Sequence, residues 1–229
     1  MFQSHTFEFK KLIQIGVPIL GSQLSYMLMG TTDTIVAGRA SSADLAGLGV
    51  GSAIFNTIWF LIAGVIFAVT PIVAQLYGAK KFNEIGTKLR EVLWIALALG
   101  FAVCTILFFM GNFLFYLPID TSITSISSSY LKALSLGIIF MTIFTTLRCY
   151  SEGMALTRPV FYIAFFGMLL NIPLDIIFVY GYFGVPKLGG VGCGIATTLV
   201  SFLMMLTLII YIFLSKNYSS TKPFSTFTP

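Results

Sequence analysis

Residues 45–79 read LAGLGVGSAIFNTIWFLIAGVIFAVTPIVAQLYGA and include no charged side chain. A helix rises about 1.5 Å per residue, so this run is longer than the roughly 30 Å hydrocarbon core of a bilayer. Five further runs predict spans in the same way, although the fourth span in the chain must hold Lys132 near one end. The other predicted spans lie within 12–38, 92–119, 130–150, 159–186 and 188–215.

The overall composition agrees with these runs. Hydrophobic residues make up 57% of the chain, charged residues make up 9%, and the mean hydropathy is +0.96. Soluble domains carry about 25% charged residues, so this chain has too few charges to cover a water-exposed surface. The sequence therefore predicts an all-α, polytopic membrane protein with six transmembrane helices.

The basic residues predict the orientation. Six spans place both termini on one side, and ten of the thirteen basic residues then fall on that side. By the positive-inside rule both termini are cytoplasmic, in the inner (plasma) membrane. The predicted segments are a cytoplasmic N-terminus (1–11), a transmembrane lobe (12–215) and a polar tail that resembles a linker (216–229). The ten residues are Lys10, Lys11, Lys80, Lys81, Lys88, Arg90, Arg148, Arg158, Lys216 and Lys222.

Several function classes are excluded by residue usage. The net charge is +5, but the basic residues are scattered between apolar runs, so no nucleic-acid-binding face is predicted. The one histidine, His5, precedes the first span, and the three cysteines are widely spaced in apolar surroundings. Neither a zinc site nor a disulfide framework is expected, and the cysteines are interpreted as small packing residues.

A glycine-rich segment occurs twice. Residues 45–53 (LAGLGVGSA) match residues 188–196 (LGGVGCGIA) at five of nine positions. A phosphate-binding loop would need a preceding strand and a different spacing. The interpretation is close helix packing through small residues.

Two carboxylates lie inside predicted spans. An ionised carboxylate in a membrane helix costs several kcal/mol unless it is paired or faces a cavity. Asp33 in the first span and Asp175 in the fifth can share a depth, and Asn171 lies one turn before Asp175 on the same helix face. The three residues are predicted to line one polar pocket, where the two carboxylates titrate as a coupled pair. A structural hydrogen bond to a neighbouring helix is the alternative.

Prolines accompany these polar residues. Pro173 lies between Asn171 and Asp175, and Pro18 lies in the first span. Each lacks the helical N–H and is predicted to bend its helix, a device that transporters use at polar sites. Near the end of the fourth span, Glu152 and Arg148 are predicted to form an interfacial ion pair.

At these residues the chain resembles the NorM-type branch of the multidrug and toxic compound extrusion (MATE) transporters. The similarity runs from Lys11 to Leu214, and its motifs occur in the family's order. They are DTIVAG (33–38), PIVAQLYGA (71–79), EGMALTRP (152–159), LNIPLDIIFVYG (170–181) and GGVGCGIAT (189–197).

The resemblance implies the amino-terminal lobe of a twelve-helix antiporter that exports cationic or amphipathic compounds in exchange for protons or sodium, with no cofactor. It implies coupling residues Asp33, Asn171 and Asp175, which could hold sodium, with Thr197 as a further ligand. It also implies a second six-helix lobe, which is absent from this chain.

There are three alternatives to the antiporter, of which the first two stay open. One is a flippase for lipids or polysaccharide precursors from the same superfamily, and another is a truncated fragment that does not transport. The third is an intramembrane aspartyl protease, but Asp175 follows Asn-Ile-Pro-Leu rather than the Gly-x-Gly that precedes such an aspartate. We therefore predict no enzyme.

Overall fold

The structure is a computed structural model that describes residues 2–116, 118, 120–221 and 223, without the side chains of residues 2–8 and 11. His5 and Lys11 therefore lie outside the described side chains, and Lys222 and residues 224–229 of the predicted tail lie outside the described residues. The described residues form seven α-helices and no strand. They are α1 (Phe2–Ala40), α2 (Ser42–Phe67), α3 (Val69–Gly78), α4 (Phe82–Phe113), α5 (Thr121–Gly153), α6 (Thr157–Tyr180) and α7 (Gly190–Leu214).

Six candidate membrane spans are present among the described residues, which confirms the predicted fold class. The second predicted span consists of two helices, α2 and α3, and the interruption falls at Ala68. A proline ring clashes with the carbonyl four residues earlier, and Pro71 would place that clash on Phe67, the last residue of α2. Pro71 instead lies in the first turn of α3, where a missing N–H costs nothing. The position of Pro71 in the sequence indicates this break, whereas hydropathy does not, because the residues on both sides of it are apolar.

Helix α5 is the centre of the bundle. It packs extensively against α2, α4 and α7, whereas α1 packs mainly against α6. Its most apolar window is 61% buried, against 17–33% for the other spans, yet its mean hydropathy of 1.6 is among the lowest. Small polar residues such as Ser127, Ser135 and Thr146 allow neighbouring helices to approach it closely. In sequence this span is exceptional for holding Lys132, and in the structure its small polar residues serve packing inside the protein.

The repeated glycine segment has a structural counterpart on α5. Gly47 of α2 and Gly190 of α7 occupy equivalent positions in the repeat, and both approach Ile126. One helical turn further on, the equivalent residues Gly51 and Gly194 both approach Tyr130. A Cβ at Gly47 or Gly51 would overlap these side chains, so the small residues let α2 and α7 clasp α5 from two sides. The predicted packing role is present in the structure.

The first part of the polar tail is not loose. Lys216–Thr221 form a short 3-10 helix, in which Tyr218 is 1% exposed. The Tyr218 hydroxyl donates to Ser151 Oγ at 3.0 Å, and the Tyr150 hydroxyl lies 2.6 Å from Thr221 Oγ1. The linker interpretation of residues 216–229 stays a prediction, but residues 216–221 belong to the packed body.

Candidate functional site

Three helices bring the polar side chains predicted for the site together. Asp33 lies on α1, Asn171 and Asp175 lie on α6, and Thr197 lies on α7. Asp175 and Asn171 are 0% exposed, and Asp33 is 6% exposed. We call these four residues the carboxylate pocket. The predicted proximity of Asp33 to the polar pair of α6 is present in the structure.

Asn171 bridges the two carboxylates. In the amide orientation that satisfies both neighbours, Nδ2 lies 3.2 Å from Asp33 Oδ1 and 3.1 Å from Asp175 Oδ2. Amide orientations are assigned from the hydrogen-bonding network, and here the alternative would point the amide oxygen at the carboxylates. The helical spacing of four residues places Asn171 and Asp175 on one face of α6, so one amide can donate to both acids.

Helix α7 supplies two further groups. The Thr197 hydroxyl donates to Asp33 Oδ2 at 3.2 Å, and the Cys193 thiol donates to the Asp33 backbone carbonyl at 3.6 Å. Cys193 had been interpreted as a packing residue. It precedes Thr197 by four residues and therefore shares its helix face, a spacing that could have revealed its position. The close approach of Gly192 to the α6 backbone at Phe178 holds α7 against α6 beside the pocket.

The pocket concentrates negative charge. Ligand atoms of Asp33, Asp175 and Cys193 all lie within 4.8 Å of one another. Like charges so close together in a medium of low dielectric disfavour simultaneous ionisation. The arrangement can therefore exist with one proton shared between the acids, or with a cation that neutralises both.

The donor set can be tested for the predicted sodium. Hard cations prefer oxygen ligands, which the two carboxylates and the Thr197 hydroxyl supply. The Asn171 amide would have to present its oxygen instead of its nitrogen to join them. Thiolates suit softer metals, so Cys193 does not contribute to a sodium site. The residues fit either a proton or a sodium ion.

A second buried polar group contacts α1 nearer the start of that helix. Arg148 Nε donates to Glu152 Oε1 at 2.7 Å, and both side chains are 9% exposed. The Arg148 guanidinium also lies 5.2 Å from the centre of the Tyr26 ring. The pairing agrees with the sequence prediction, and both side chains are buried within the protein, with the Tyr26 ring beside the guanidinium. We call Tyr26, Arg148 and Glu152 the ion-pair cluster.

The two predicted helix-bending prolines both lie within continuous helices. Pro18 is near the start of the first span, and the Ser22 hydroxyl donates to its carbonyl at 2.9 Å. Pro173 lies between the two polar residues of α6 and removes one helical hydrogen bond beside the carboxylate pocket. A role for either proline in motion stays a prediction.

The residues of the pocket fall largely within a region that matches a known protein family. A family model described as MatE matches residues 18–177, which is well over half of the chain. The chain belongs to the MATE family. The match includes Asp33, Asn171 and Asp175 of the pocket, whereas Thr197 lies beyond it.

The chain is also similar to named MATE relatives. It is 36% identical to the multidrug resistance protein NorM of Vibrio cholerae over 220 residues, which cover 96% of this chain and 48% of that protein. A probable multidrug resistance protein NorM of Acinetobacter baylyi is 37% identical and covers 96% of the chain and 49% of its own length. The chain thus spans about half the length of these relatives.

Solved MATE structures agree at the level of the fold. The eukaryotic MATE transporter AtDTX14 superposes with a TM-score of 0.88 at 16% identity, over 96% of this chain and 49% of that chain. The MATE transporter NorM-NG, solved in a complex that includes a monobody, gives a TM-score of 0.73 at 33% identity, over 92% and 46%. The six spans therefore form one MATE lobe.

Proposed function

We propose that this chain is the amino-terminal lobe of a MATE-type antiporter and that its carboxylate pocket carries the coupling ion. The observation that supports the proposal most directly is the bridging of Asp33 and Asp175 by Asn171 across two helices. Such a pocket gains a favourable interaction when it takes up one positive charge. Binding of a proton or sodium ion then changes the attraction between α1 and α6.

The coupling follows from that attraction. With a cation bound, the two acids hold α1 against α6, and the Thr197 hydroxyl ties α7 to the same group. Loss of the cation leaves two like charges that repel, which favours separation of α1 from α6. A helix weakened by Pro18 or Pro173 can bend in response. An ion gradient could in this way bias the lobe between two shapes.

Cationic or amphipathic compounds are the proposed substrates. Support comes from the multidrug resistance names of the relatives and from the acidic pocket, which favours positive charge. Alternating access requires two bodies that move around a site near the midplane, and one lobe provides a single wall of that site. We therefore propose that a second six-helix lobe completes the transporter.

The assignment of the ion site is tested by infrared difference spectroscopy on the purified chain in lipid. Sodium addition should change the carboxyl bands of the parent, and that change should be reduced in Asp33→Asn. Asp120→Asn is the matched control, since Asp120 is an exposed acid that caps the start of α5. Unchanged bands in Asp33→Asn relative to the parent would refute the assignment.

The need for a second lobe is tested by dye efflux. Proteoliposomes that hold only this chain should show no ion-driven efflux, and co-reconstitution with the carboxyl-terminal half of a NorM relative should restore it. In the restored system Asp33→Asn should abolish efflux without reducing membrane insertion. Robust ion-dependent efflux from the chain as a monomer would contradict the half-transporter proposal.

The orientation, with both termini in the cytoplasm, is part of the same proposal. A cysteine introduced at Asn83 should react only with a reagent added from the cytoplasmic side, and one at Lys187 only from outside. Both positions are exposed in loops or helix ends. Reversed labelling would overturn the charge-based orientation.

A further inference from the structure

A groove of about 300 Å³ opens between α4 and α5, two helices that contribute no side chain to the carboxylate pocket. Lys132 projects into it from α5. The sequence had predicted this lysine near the end of a span, but α5 begins at Thr121, eleven residues earlier. The ammonium group therefore lies along a membrane helix rather than at its tip.

No acid whose side chain the structure describes forms an ion pair with Lys132. Among the described residues, the ion pairs are Lys81–Glu84, Lys88–Glu91 and Arg148–Glu152, and Lys132 takes part in none of them. Its Nζ lies 5.7 Å from the centre of the Phe108 ring. An aromatic face attracts a cation, but more weakly than an anion does. A group from outside the chain can supply that anion.

The direction of the lysine side chain indicates where the anion lies. Side chains in a helix lean toward its N-terminus, so Lys132 points toward the membrane surface at which α5 begins. The preceding helix α4 ends near that surface, where Phe113, Phe115 and Tyr116 are exposed. Aromatic residues concentrate at the level of the lipid headgroups, and long lysine side chains reach toward the same level.

The remaining groove residues restrict the chemistry of a ligand. The Thr105 hydroxyl donates to the Phe101 carbonyl at 3.0 Å, and the Ser135 hydroxyl donates to the Lys132 carbonyl at 2.7 Å. Because both hydroxyls already donate to backbone carbonyls, the Lys132 ammonium is the strong hydrogen-bond donor in the groove that can bind a ligand. Phe109 and Leu136 are 62% and 61% exposed, which leaves an apolar wall beside it.

We propose that this groove binds an anionic phospholipid, with the headgroup phosphate on the Lys132 ammonium and an acyl chain along Phe108, Phe109 and Leu136. A negatively charged head joined to an apolar chain matches both the single cation and the apolar wall. The ligand comes from the surrounding bilayer, so the site would be filled while the lobe resides in the membrane. It is independent of the ion site in the carboxylate pocket.

The test measures lipid retained by the purified chain. In native mass spectrometry, the parent should bind phosphatidylglycerol several-fold more tightly than phosphatidylcholine at a first site. Lys132→Met should abolish that preference, and Lys132→Arg should preserve it. Lys187→Met is the matched control, because it removes an exposed positive charge on the same side of the predicted topology without altering the groove.

A second readout locates the lipid. Phosphatidylglycerol that carries a photoreactive group on its acyl chain should label the peptide containing Phe108 and Phe109 in the parent, and the labelling should fall several-fold in Lys132→Met. Equal retention of the two lipids, or unchanged retention and labelling in Lys132→Met, would overturn the proposal. Labelling confined to other helices would overturn it as well.

Discussion

The carboxylate pocket and the ion-pair cluster are both buried, and both involve α1, but their charges are arranged in opposite ways. The cluster contains one positive and one negative side chain at 2.7 Å, so its charges cancel within the protein. The pocket contains two acids joined by a neutral amide, so its charge is cancelled only by something that arrives from outside. The first arrangement stabilises one structure, whereas in the proposed function the second responds to a proton or a sodium ion.

The largest expected effect comes from breaking the ion-pair cluster. Arg148→Met leaves Glu152 buried without its partner and should lower the free energy of unfolding by about 3–5 kcal/mol. Reversible unfolding in mixed detergent micelles would measure it. The double variant Arg148→Met with Glu152→Leu should recover most of the loss, because an apolar pair carries no buried charge. If the double variant is destabilised as much as Arg148→Met, the packing of these side chains, rather than their charge, determines the stability of the cluster.

Removing the amide bridge should have an intermediate effect. Asn171→Leu deprives two buried acids of a shared donor and should destabilise the lobe by about 1–3 kcal/mol. The same unfolding measurement applies, with Asn56→Leu as a control at an exposed polar position of α2. If both variants lose equally little stability, the amide does not hold α1 to α6.

Neutralising one acid should have a small effect on stability and a large one on ion response. Asp33→Asn removes a like charge and keeps side-chain size, so the free energy of unfolding should change by less than about 1 kcal/mol. Sodium should stabilise the parent, since a ligand that binds the folded state shifts unfolding, but it should not stabilise Asp33→Asn. Thermal unfolding with and without sodium would distinguish the two, with potassium as the ionic-strength control. If sodium still stabilises Asp33→Asn, the ion response does not depend on Asp33, and the carboxylate pocket would not differ from the ion-pair cluster in this respect.

The smallest effect is expected for the substitution Tyr26→Phe. Its hydroxyl is buried and has no hydrogen-bond partner of good geometry among the described residues, so Tyr26→Phe should change stability by about 0.5 kcal/mol or less. The ring above Arg148 is retained in that variant. Tyr26→Leu should cost more, by about 1–2 kcal/mol, because the cation–π contact is lost. Equal effects of the two substitutions would show that the ring contributes no more than an apolar side chain of similar reach.

Much of the pocket could be predicted from sequence because its signals are local. The four-residue spacing of Asn171 and Asp175 follows from helix geometry, and a carboxylate inside an apolar run is conspicuous. Thr197 came from the family resemblance rather than from spacing. Cys193 was missed because a thiol among apolar residues has the same pattern whether it packs or faces a site. The four-residue spacing from Cys193 to Thr197 reveals its position only once the resemblance has assigned Thr197 to the pocket.

The fold was predictable in class but not in arrangement. Hydropathy revealed six spans, yet α5 scores only 1.6, and its small polar residues include Ser127, Ser135 and Thr146. Those residues contact other helices rather than lipid, and hydropathy cannot distinguish the two environments. The break before Pro71 was also concealed, since both sides of it are apolar.

The central position of α5 has a consequence for biogenesis. A translocon presents each new helix to lipid, and a helix rich in Ser and Thr gains less from entering lipid than α2 or α4 does. We expect α5 to remain at the lateral gate until it packs against the earlier helices α2 and α4. The three helices would then enter the lipid together. The last helix, α7, would then close over Ile126 and Tyr130. Membrane integration of this lobe would in that case be a cooperative event of several helices, with its slowest step at the helix that ends up furthest from lipid.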